Sequence, residues 1–166
     1  VARLLRTHVL ARLVAFALGR ARIQNFAFRT VSQIGIQYRT STLSKSLPGL
    51  PDGAPRAGER IPWLKLKLGA DAAVEDLFEK LDDTRLNLLV FGQPAPPDGA
   101  LGLRGFLRVH AVPSDPINDA ALKRTRIPQP SFYLLRPDGH VGLCGTRLEA
   151  TAIGRYVSEQ LGLVSS

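Results

Sequence analysis

The side chains that could carry out chemistry are few in this sequence and widely spaced. Cys144 is the single cysteine, and the three histidines are His8, His110 and His140. Dithiol exchange needs an attacking and a resolving thiol, and a zinc site needs several Cys or His ligands at short spacing. Neither arrangement occurs, so we expect neither thiol–disulfide catalysis nor a metal site. We interpret Cys144 as a small core residue and each histidine as a residue with a local hydrogen bond.

The remaining candidates are carboxylates and a short basic run. Asp82 and Asp83 precede an apolar segment, which is typical of a solvated turn rather than of an acid–base pair. Asp138 follows a proline and precedes a glycine, which is the composition of a tight turn. The basic run at Lys123–Arg126 is typical of a solvated loop.

Two glycines in the same half of the chain resemble a phosphate-binding loop only superficially. Gly102 and Gly105 lack the Walker spacing and the Lys-Ser/Thr pair that follows it. We therefore predict that this chain contains no catalytic, cofactor-binding or metal-binding residue.

The elements that would position these residues form an α/β pattern over residues 46–166. Apolar runs and turn residues predict strands at 61–68, 84–92, 103–112, 131–135 and 140–144. Caps and helical periodicity predict helices at 71–81, 118–126 and 148–161. A proline-rich loop is expected at 93–99, and a hairpin turn at Pro137-Asp138-Gly139. This order predicts a central mixed sheet flanked by helices, the outline of a thioredoxin-like domain.

Two positions are informative when compared with that fold. Pro130 stands where the fold has a proline that is often cis, and the sequence leaves open whether this bond is cis. Redox-active thioredoxins carry Cys-x-x-Cys after the central strand, whereas this chain reads Gly92-Gln-Pro-Ala-Pro-Pro there. The predicted domain is therefore redox-inactive.

The first 45 residues differ in charge from the rest of the chain. They contain eight of the 22 Lys and Arg residues and none of the 14 Asp and Glu residues, so the net charge of +8 belongs to them. Their composition predicts two helices, at 1–19 and 22–39, followed by a linker at 47–53. One face of the second helix is apolar and carries Ile23, Ala27, Val31, Ile34 and Tyr38.

Three interpretations compete for this basic segment: an organelle-targeting peptide, a nucleic-acid-binding arm, and a helical pair that packs on a neighbouring domain. The balanced charge of residues 46–166 and the lack of a zinc or aromatic nucleic-acid motif argue against nucleic acid. The uncharged stretches of the basic segment are far shorter than the ~20 residues of a membrane span. We favour the packed helical pair and expect no nucleic-acid and no membrane partner.

Four stretches, in order along the chain, resemble the C-terminal end of FAD-dependent aromatic hydroxylases, the phenol hydroxylase-like monooxygenases. Ser32-Gln-Ile-Gly-Ile-Gln-Tyr-Arg-Thr-Ser-Thr-Leu-Ser resembles the exit from their last flavin-domain helices, and Pro55-Arg-Ala-Gly-Glu-Arg-Ile-Pro resembles the entry to their C-terminal domain. Asp76-Leu-Phe with Leu88-Leu-Val-Phe-Gly resembles the first helix and central strand of that domain. Tyr133-Leu-Leu-Arg-Pro-Asp-Gly-His-Val-Gly resembles its terminal hairpin.

The resemblance implies that residues 1–45 are the end of a truncated flavin domain and residues 46–166 a redox-inactive thioredoxin-like domain. The implied parent is a cytoplasmic oxidoreductase, a flavoprotein that hydroxylates phenolic or polyketide-like rings with FAD, NAD(P)H and O₂. The family's Gly-x-Gly-x-x-Gly fingerprint is absent from this sequence, so we expect no cofactor in the fragment. Its implied partners are the upstream flavin and substrate domains, and a homodimer remains open.

Two alternatives remain open at this point. The chain could be a standalone, non-redox thioredoxin-like binding protein with a basic targeting segment. It could also be a peroxiredoxin-like enzyme that uses Cys144, which would require a reactive thiolate.

Overall fold

The computed structural model describes residues 41–69, 72–97, 99–101, 103 and 105–162. The helices predicted at 1–19 and 22–39 therefore lie outside the described residues. Residues 41–46 contain a turn and a short strand, β1, at Lys45–Ser46.

A five-stranded mixed sheet forms the centre of the described chain. Besides β1, its strands are β4 (Leu86–Phe91), β5 (Leu107–Val112), β6 (Ser131–Leu135) and β7 (Val141–Gly145). Their spatial order is β1-β7-β6-β4-β5. The β4–β5 and β1–β7 pairs are parallel, whereas β4–β6 and β6–β7 are antiparallel. Every residue of β4, β6 and β7 is buried, as expected for strands covered on both faces.

Two helices flank the sheet, which confirms the predicted α/β class. The first helix, α1, runs over Pro116–Thr125, and Asp115 caps its N-terminus through a side chain that accepts from the backbone N–H of Ile117. The second helix, α2, runs over Ala150–Leu161 and ends at Gly162 in the left-handed conformation.

The alternation of side chains along β4 divides the core into two layers. Leu89 and Phe91 pack in the layer that contains Ala121 and Leu122 of α1. Leu88 and Val90 pack in the other layer, with the apolar face of α2. That face consists of Ile153, Tyr156 and Val157, with Leu161 partly buried beside them. The helices therefore cover opposite faces of the sheet.

The helix predicted at 71–81 is wrong. The described part of this range contains strand β3 (Val74–Asp76) and a 3₁₀ turn at Leu77–Glu79, which Asp76 caps. Strand β3 pairs antiparallel with β2 (Lys65–Lys67) in a separate two-stranded sheet. An isolated helix of this length is marginal, whereas pairing with β2 satisfies backbone groups of both segments.

The strand predicted at 61–68 exists in part, as β2, but it belongs to this small sheet. The edge position beside β7 in the central sheet is taken by β1 instead. The strand predicted at 103–112 begins at Leu107. No helix occurs among the described residues between β4 and β5.

The predicted hairpin between β6 and β7 is confirmed. Its turn is closed by hydrogen bonds from Gly139 N to Arg136 O (2.9 Å) and from Arg136 N to His140 O (2.9 Å). Gly139 has a φ of +79°, which a residue with a Cβ rarely adopts. The turn that was predicted from the residues Pro137-Asp138-Gly139 alone is therefore present.

Candidate functional site

A cleft of about 700 Å³ lies where the carboxyl ends of the parallel strands β4 and β5 meet the beginning of β6. Open α/β sheets bind ligands at such ends of their strands. The cleft is lined by Leu68, Gly69, Gly92, Gln93, Pro94, Ala95, Ala111, Val112, Pro113, Ser114, Gln129 and Pro130. It is the position at which redox-active thioredoxin-like proteins carry their cysteine pair.

In this chain, an amide stands where that fold carries its thiols. Strand β4 ends at Phe91 and is followed by Gly92, whose φ is +61°, and then by Gln93. The Gln93 Oε1 accepts from Leu148 N (3.0 Å), and its Nε2 donates to Thr146 O (3.2 Å). Gln93 therefore fastens the turn after β4 to the segment that leads into α2, and offers no nucleophile.

The opposite wall of the cleft is formed by Gln129 and Pro130, which are exposed. The peptide bond between them is cis, which answers the question that the sequence left open. The Gln129 Nε2 donates to Asp119 Oδ1 (2.9 Å), and the Ser131 hydroxyl donates to Pro128 O (2.6 Å). These polar groups stabilise the wall itself.

Cys144 lies on β7 and does not line the cleft. It is fully buried, and its Sγ donates to Ser46 Oγ over 3.5 Å. Burial raises the pKa of the Cys144 thiol, and the hydrogen bond with Ser46 opposes that shift only in part. Because the thiolate is the reactive form, this environment disfavours a nucleophilic role and supports the interpretation of Cys144 as a core residue.

His110 has the local hydrogen bond that we expected of an isolated histidine. Its Nε2 lies 3.1 Å from Asn87 Oδ1, and the residue is 8% exposed. Burial lowers the pKa of His110, and the positive charge of Arg108 lowers it further. Neutral His110 therefore serves as a buried polar contact of β5. His8 lies outside the described residues.

The hairpin turn joins His140, Asp138 and Arg136 in one cluster. Asp138 Oδ1 accepts from His140 N (3.0 Å), its Oδ2 pairs with the Arg136 guanidinium, and His140 Nδ1 lies 3.4 Å from Oδ1. The turn role predicted for Asp138 is thus confirmed.

Asp82 also has the turn role that its sequence context predicted. Its Oδ1 accepts from Thr84 N (2.9 Å) and from Thr84 Oγ1 (2.6 Å), and its Oδ2 lies 3.3 Å from Arg85 Nε. The side-chain and backbone hydrogen bonds from Thr84 keep the pKa of Asp82 below its usual value. Asp82 is therefore ionised at neutral pH and holds the turn in front of β4.

Sequence reasoning missed two buried asparagines that organise the loops. Asn87 accepts from Asp82 N (2.9 Å) and donates to Asp82 O (2.8 Å) and Arg85 O (3.1 Å). Asn118 accepts from Lys67 N (2.8 Å) and donates to Lys67 O and Pro113 O (both 2.9 Å). The available signal for Asn87 was a polar amide inside an otherwise apolar strand, since such a group is rarely buried without partners.

The described residues do not form a cradle for the pyrophosphate of a dinucleotide. Such a cradle uses a glycine-rich turn and the free N–H groups of a helix N-terminus. Here α1 begins at Asp115, whose carboxylate already accepts from Ile117 N (2.8 Å), and α2 begins at Glu149. Both helix starts thus carry a negative charge that would repel phosphate.

The described residues contain neither a cluster of metal ligands nor a helix that could cross a membrane. No group of three or more His, Cys, Asp or Glu side chains in this part of the chain is placed to hold a metal ion. No helix within it is long and apolar enough to cross a membrane.

The chain is similar to parts of several solved hydroxylase structures. Aklavinone-11 hydroxylase, solved with FAD and aklavinone, matches 78% of this chain at 20% identity and a TM-score of 0.56. The flavin-dependent monooxygenase PieE, solved with FAD and substrate, matches 92% at 19% identity and a TM-score of 0.54. OxyS anhydrotetracycline hydroxylase from Streptomyces rimosus matches 90% at 19% identity and a TM-score of 0.53.

These similarities show a shared fold. The chain spans 27%, 32% and 28% of the length of those three proteins, so each of them has a large part with no counterpart here. No protein-family model matches the sequence, and no curated protein does.

Proposed function

We propose that this chain is the C-terminal structural and oligomerisation domain of an FAD-dependent monooxygenase, and that it is itself non-catalytic. The parent enzyme hydroxylates aromatic rings, phenolic or polyketide-like, with NAD(P)H and O₂ in the cytoplasm. FAD supplies the oxygen-activating chemistry in the upstream part of the parent. This chain supplies packing surfaces.

The observation that carries this proposal is the extended likeness to the hydroxylases. It covers 90% and 92% of this chain for OxyS and PieE but under a third of either enzyme. A segment of that relative size fits one domain of a larger enzyme. The four sequence stretches that resemble the C-terminal end of aromatic hydroxylases support the same placement.

The contents of the cleft support a non-catalytic role for the domain. Its described lining holds amides, prolines and small residues, and Cys144 is buried elsewhere in the fold. The glutamine at the former dithiol position is fastened to its own chain by two hydrogen bonds. The described residues of the cleft therefore fit a domain that contributes shape and packing surface.

Exposed apolar side chains at and just before the small sheet support contact with another domain. Trp63 is 56% exposed and Val74 is 43% exposed. The Trp63 indole donates to Asp76 Oδ2 (2.6 Å), and Lys65 Nζ lies 5.1 Å from the ring centroid. A tryptophan held in place while exposed is typical of interface anchors. We propose that this surface contacts the upstream flavin and substrate domains or a second subunit.

The coding sequence immediately upstream of Val1 tests the proposal. We expect an open reading frame that runs back several hundred codons to a strand–Gly-x-Gly-x-x-Gly–helix unit. A start codon at or just before Val1 would instead favour the standalone binding protein with a basic targeting segment.

The oligomerisation role requires a separate measurement on the parent protein. The full enzyme and a version that ends before residue 46 should be compared by light scattering and by flavin absorbance. We expect the shortened enzyme to retain FAD and to lose its dimer. An unchanged oligomeric state would contradict the oligomerisation role and leave the membership of the enzyme untouched.

A further inference from the structure

Strand β5 forms one edge of the central sheet, with β4 on its inner side and no strand of the described chain on its outer side. It has six residues, Leu107–Val112, and none is a proline or a lysine. Edge strands expose a row of backbone N–H and C=O groups that can pair with another strand. The other edge strand, β1, has only two residues.

The direction of the backbone groups along β5 follows from two hydrogen bonds at its beginning. Phe106 O accepts from Leu86 N (2.9 Å), and Leu107 N donates to Leu103 O (3.1 Å) on the outer side. Since these groups alternate in direction along a strand, those of Arg108 and His110 face β4. The groups of Val109 and Ala111 face outward, and no hydrogen bond from the described chain reaches them there.

Two clefts border this outer edge. A groove of about 380 Å³ lies between the first half of β5 and the loop before it, and its lining includes Leu101, Leu103 and Leu107. The larger cleft at Pro130 reaches the other end of the strand, at Ala111 and Val112. A chain that lies along β5 would therefore find room at both ends and apolar side chains beside it.

The charge of the groove is one-sided. Its described lining includes Arg85 and Arg108 and no carboxylate. Arg85 pairs with Asp82, whereas no carboxylate of the described residues lies within salt-bridge distance of the exposed Arg108. A partner that carries acidic side chains would complement this charge.

From this combination we infer that the outer edge of β5 binds an extended acidic segment of another polypeptide by adding it to the sheet as a sixth strand. The backbone groups of Val109 and Ala111 supply the ladder, and Arg108 selects acidic side chains beside it. A second copy of the chain is a poorer occupant, because pairing two β5 edges would bring Arg85 and Arg108 of both chains together.

The test uses the 166-residue chain and two labelled synthetic peptides, one alternating valine with glutamate and one alternating valine with lysine. Fluorescence anisotropy at low salt measures their binding, and NMR measures amide exchange. We expect the glutamate peptide to bind about tenfold more tightly than the lysine peptide. It should also slow the exchange of the Val109 and Ala111 amides.

Two variants separate the ladder from the charge. Ala111→Pro removes an outward N–H and leaves the hydrogen bonds to β4 in place, so it should weaken the binding of the glutamate peptide about tenfold. Ala111→Val keeps that N–H and should bind the glutamate peptide as tightly as the unsubstituted chain does. Arg108→Glu should reverse the preference in favour of the lysine peptide, and it keeps the test valid if Ala111→Pro does not fold.

Three outcomes would overturn the inference. The first is that neither peptide binds at about 1 mM. The second is that Arg108→Glu leaves the preference unchanged. The third is that the chain dimerises and Ala111→Pro abolishes the dimer, which would assign the edge to a second copy. None of these outcomes affects the proposed origin of the chain in a flavoenzyme.

Discussion

A single buried amide, that of Asn87, holds the turn in front of β4. Asn87 is 1% exposed, and its amide bonds to Asp82, Arg85 and His110. Asn87→Leu should lower the free energy of unfolding by about 2–4 kcal/mol, because it leaves several buried polar groups without partners. Urea unfolding of the variant and of the unsubstituted chain measures this difference.

Asp83 provides the control for that measurement, because it lies in the same turn and is exposed. Asp83→Asn should change the free energy of unfolding by no more than about 0.5 kcal/mol. Equal losses in the two variants would contradict the role assigned to Asn87.

The stability of the domain should fall as the pH falls below about 6.5, because of His110. Burial and the charge of Arg108 lower the pKa of folded His110 below its usual value of 6.5. Between these two pKa values the unfolded chain binds a proton that the folded chain does not, so acid favours unfolding. Unfolding midpoints in urea from pH 8 to pH 5 measure the loss.

His110→Gln should flatten this pH dependence, since glutamine does not titrate. The carboxylates with lowered pKa values, Asp82, Asp115 and Asp138, have usual values of 3.8 and act only at lower pH. A slope in His110→Gln as steep as that of the unsubstituted chain would refute the assignment.

At the scale of elements, the contact between β7 and α2 leaves no space for a methyl group. A Cβ at Gly142 would overlap the hydroxyl oxygen of Tyr156. That hydroxyl donates to Leu43 O (2.8 Å) and so ties the chain before β1 to α2. Gly142→Ala should therefore cost about 1–3 kcal/mol in the free energy of unfolding, as overpacking does in other cores.

A double-mutant cycle tests whether the cost comes from this overlap. Gly142→Ala should cost less in a Tyr156→Phe background, because the hydroxyl is gone. Denaturant unfolding of the four proteins gives the coupling. Strictly additive costs would mean that the strain arises elsewhere.

For the whole molecule, the central expectation is that the chain does not bind FAD. Its two described helices start with Asp115 and Glu149, which disfavour a phosphate at either N-terminus. A ligand that binds only the folded state raises the melting temperature in proportion to the logarithm of its concentration. We expect about 100 µM FAD to leave the melting temperature unchanged, and we expect the same of about 100 µM AMP.

A rise of several degrees with FAD, together with quenched flavin fluorescence, would contradict this expectation. It would also remove the argument for a non-catalytic domain. The parent enzyme, if it is recovered, serves as the positive control.

Local sequence was sufficient where an element is defined by its own residues. A few neighbouring residues were enough to predict three elements. These are strand β4, the Pro137-Asp138-Gly139 turn and the apolar face of α2. The expectation that the chain carries out no thiol–disulfide exchange was equally local, because it follows from one cysteine in 166 residues. The mixed sheet with helices on both faces could be derived from the order of these elements.

Only the tertiary structure decided the rest, because those features depend on residues distant in sequence. Val74–Asp76 has helix-compatible neighbours but becomes a strand because β2 lies beside it. Lys45–Ser46 becomes a strand through pairing with Leu143 and Cys144, almost 100 residues later. The position of β5 at the edge of the described sheet also cannot be found from local sequence, since an edge is defined by which strands do not pair with it.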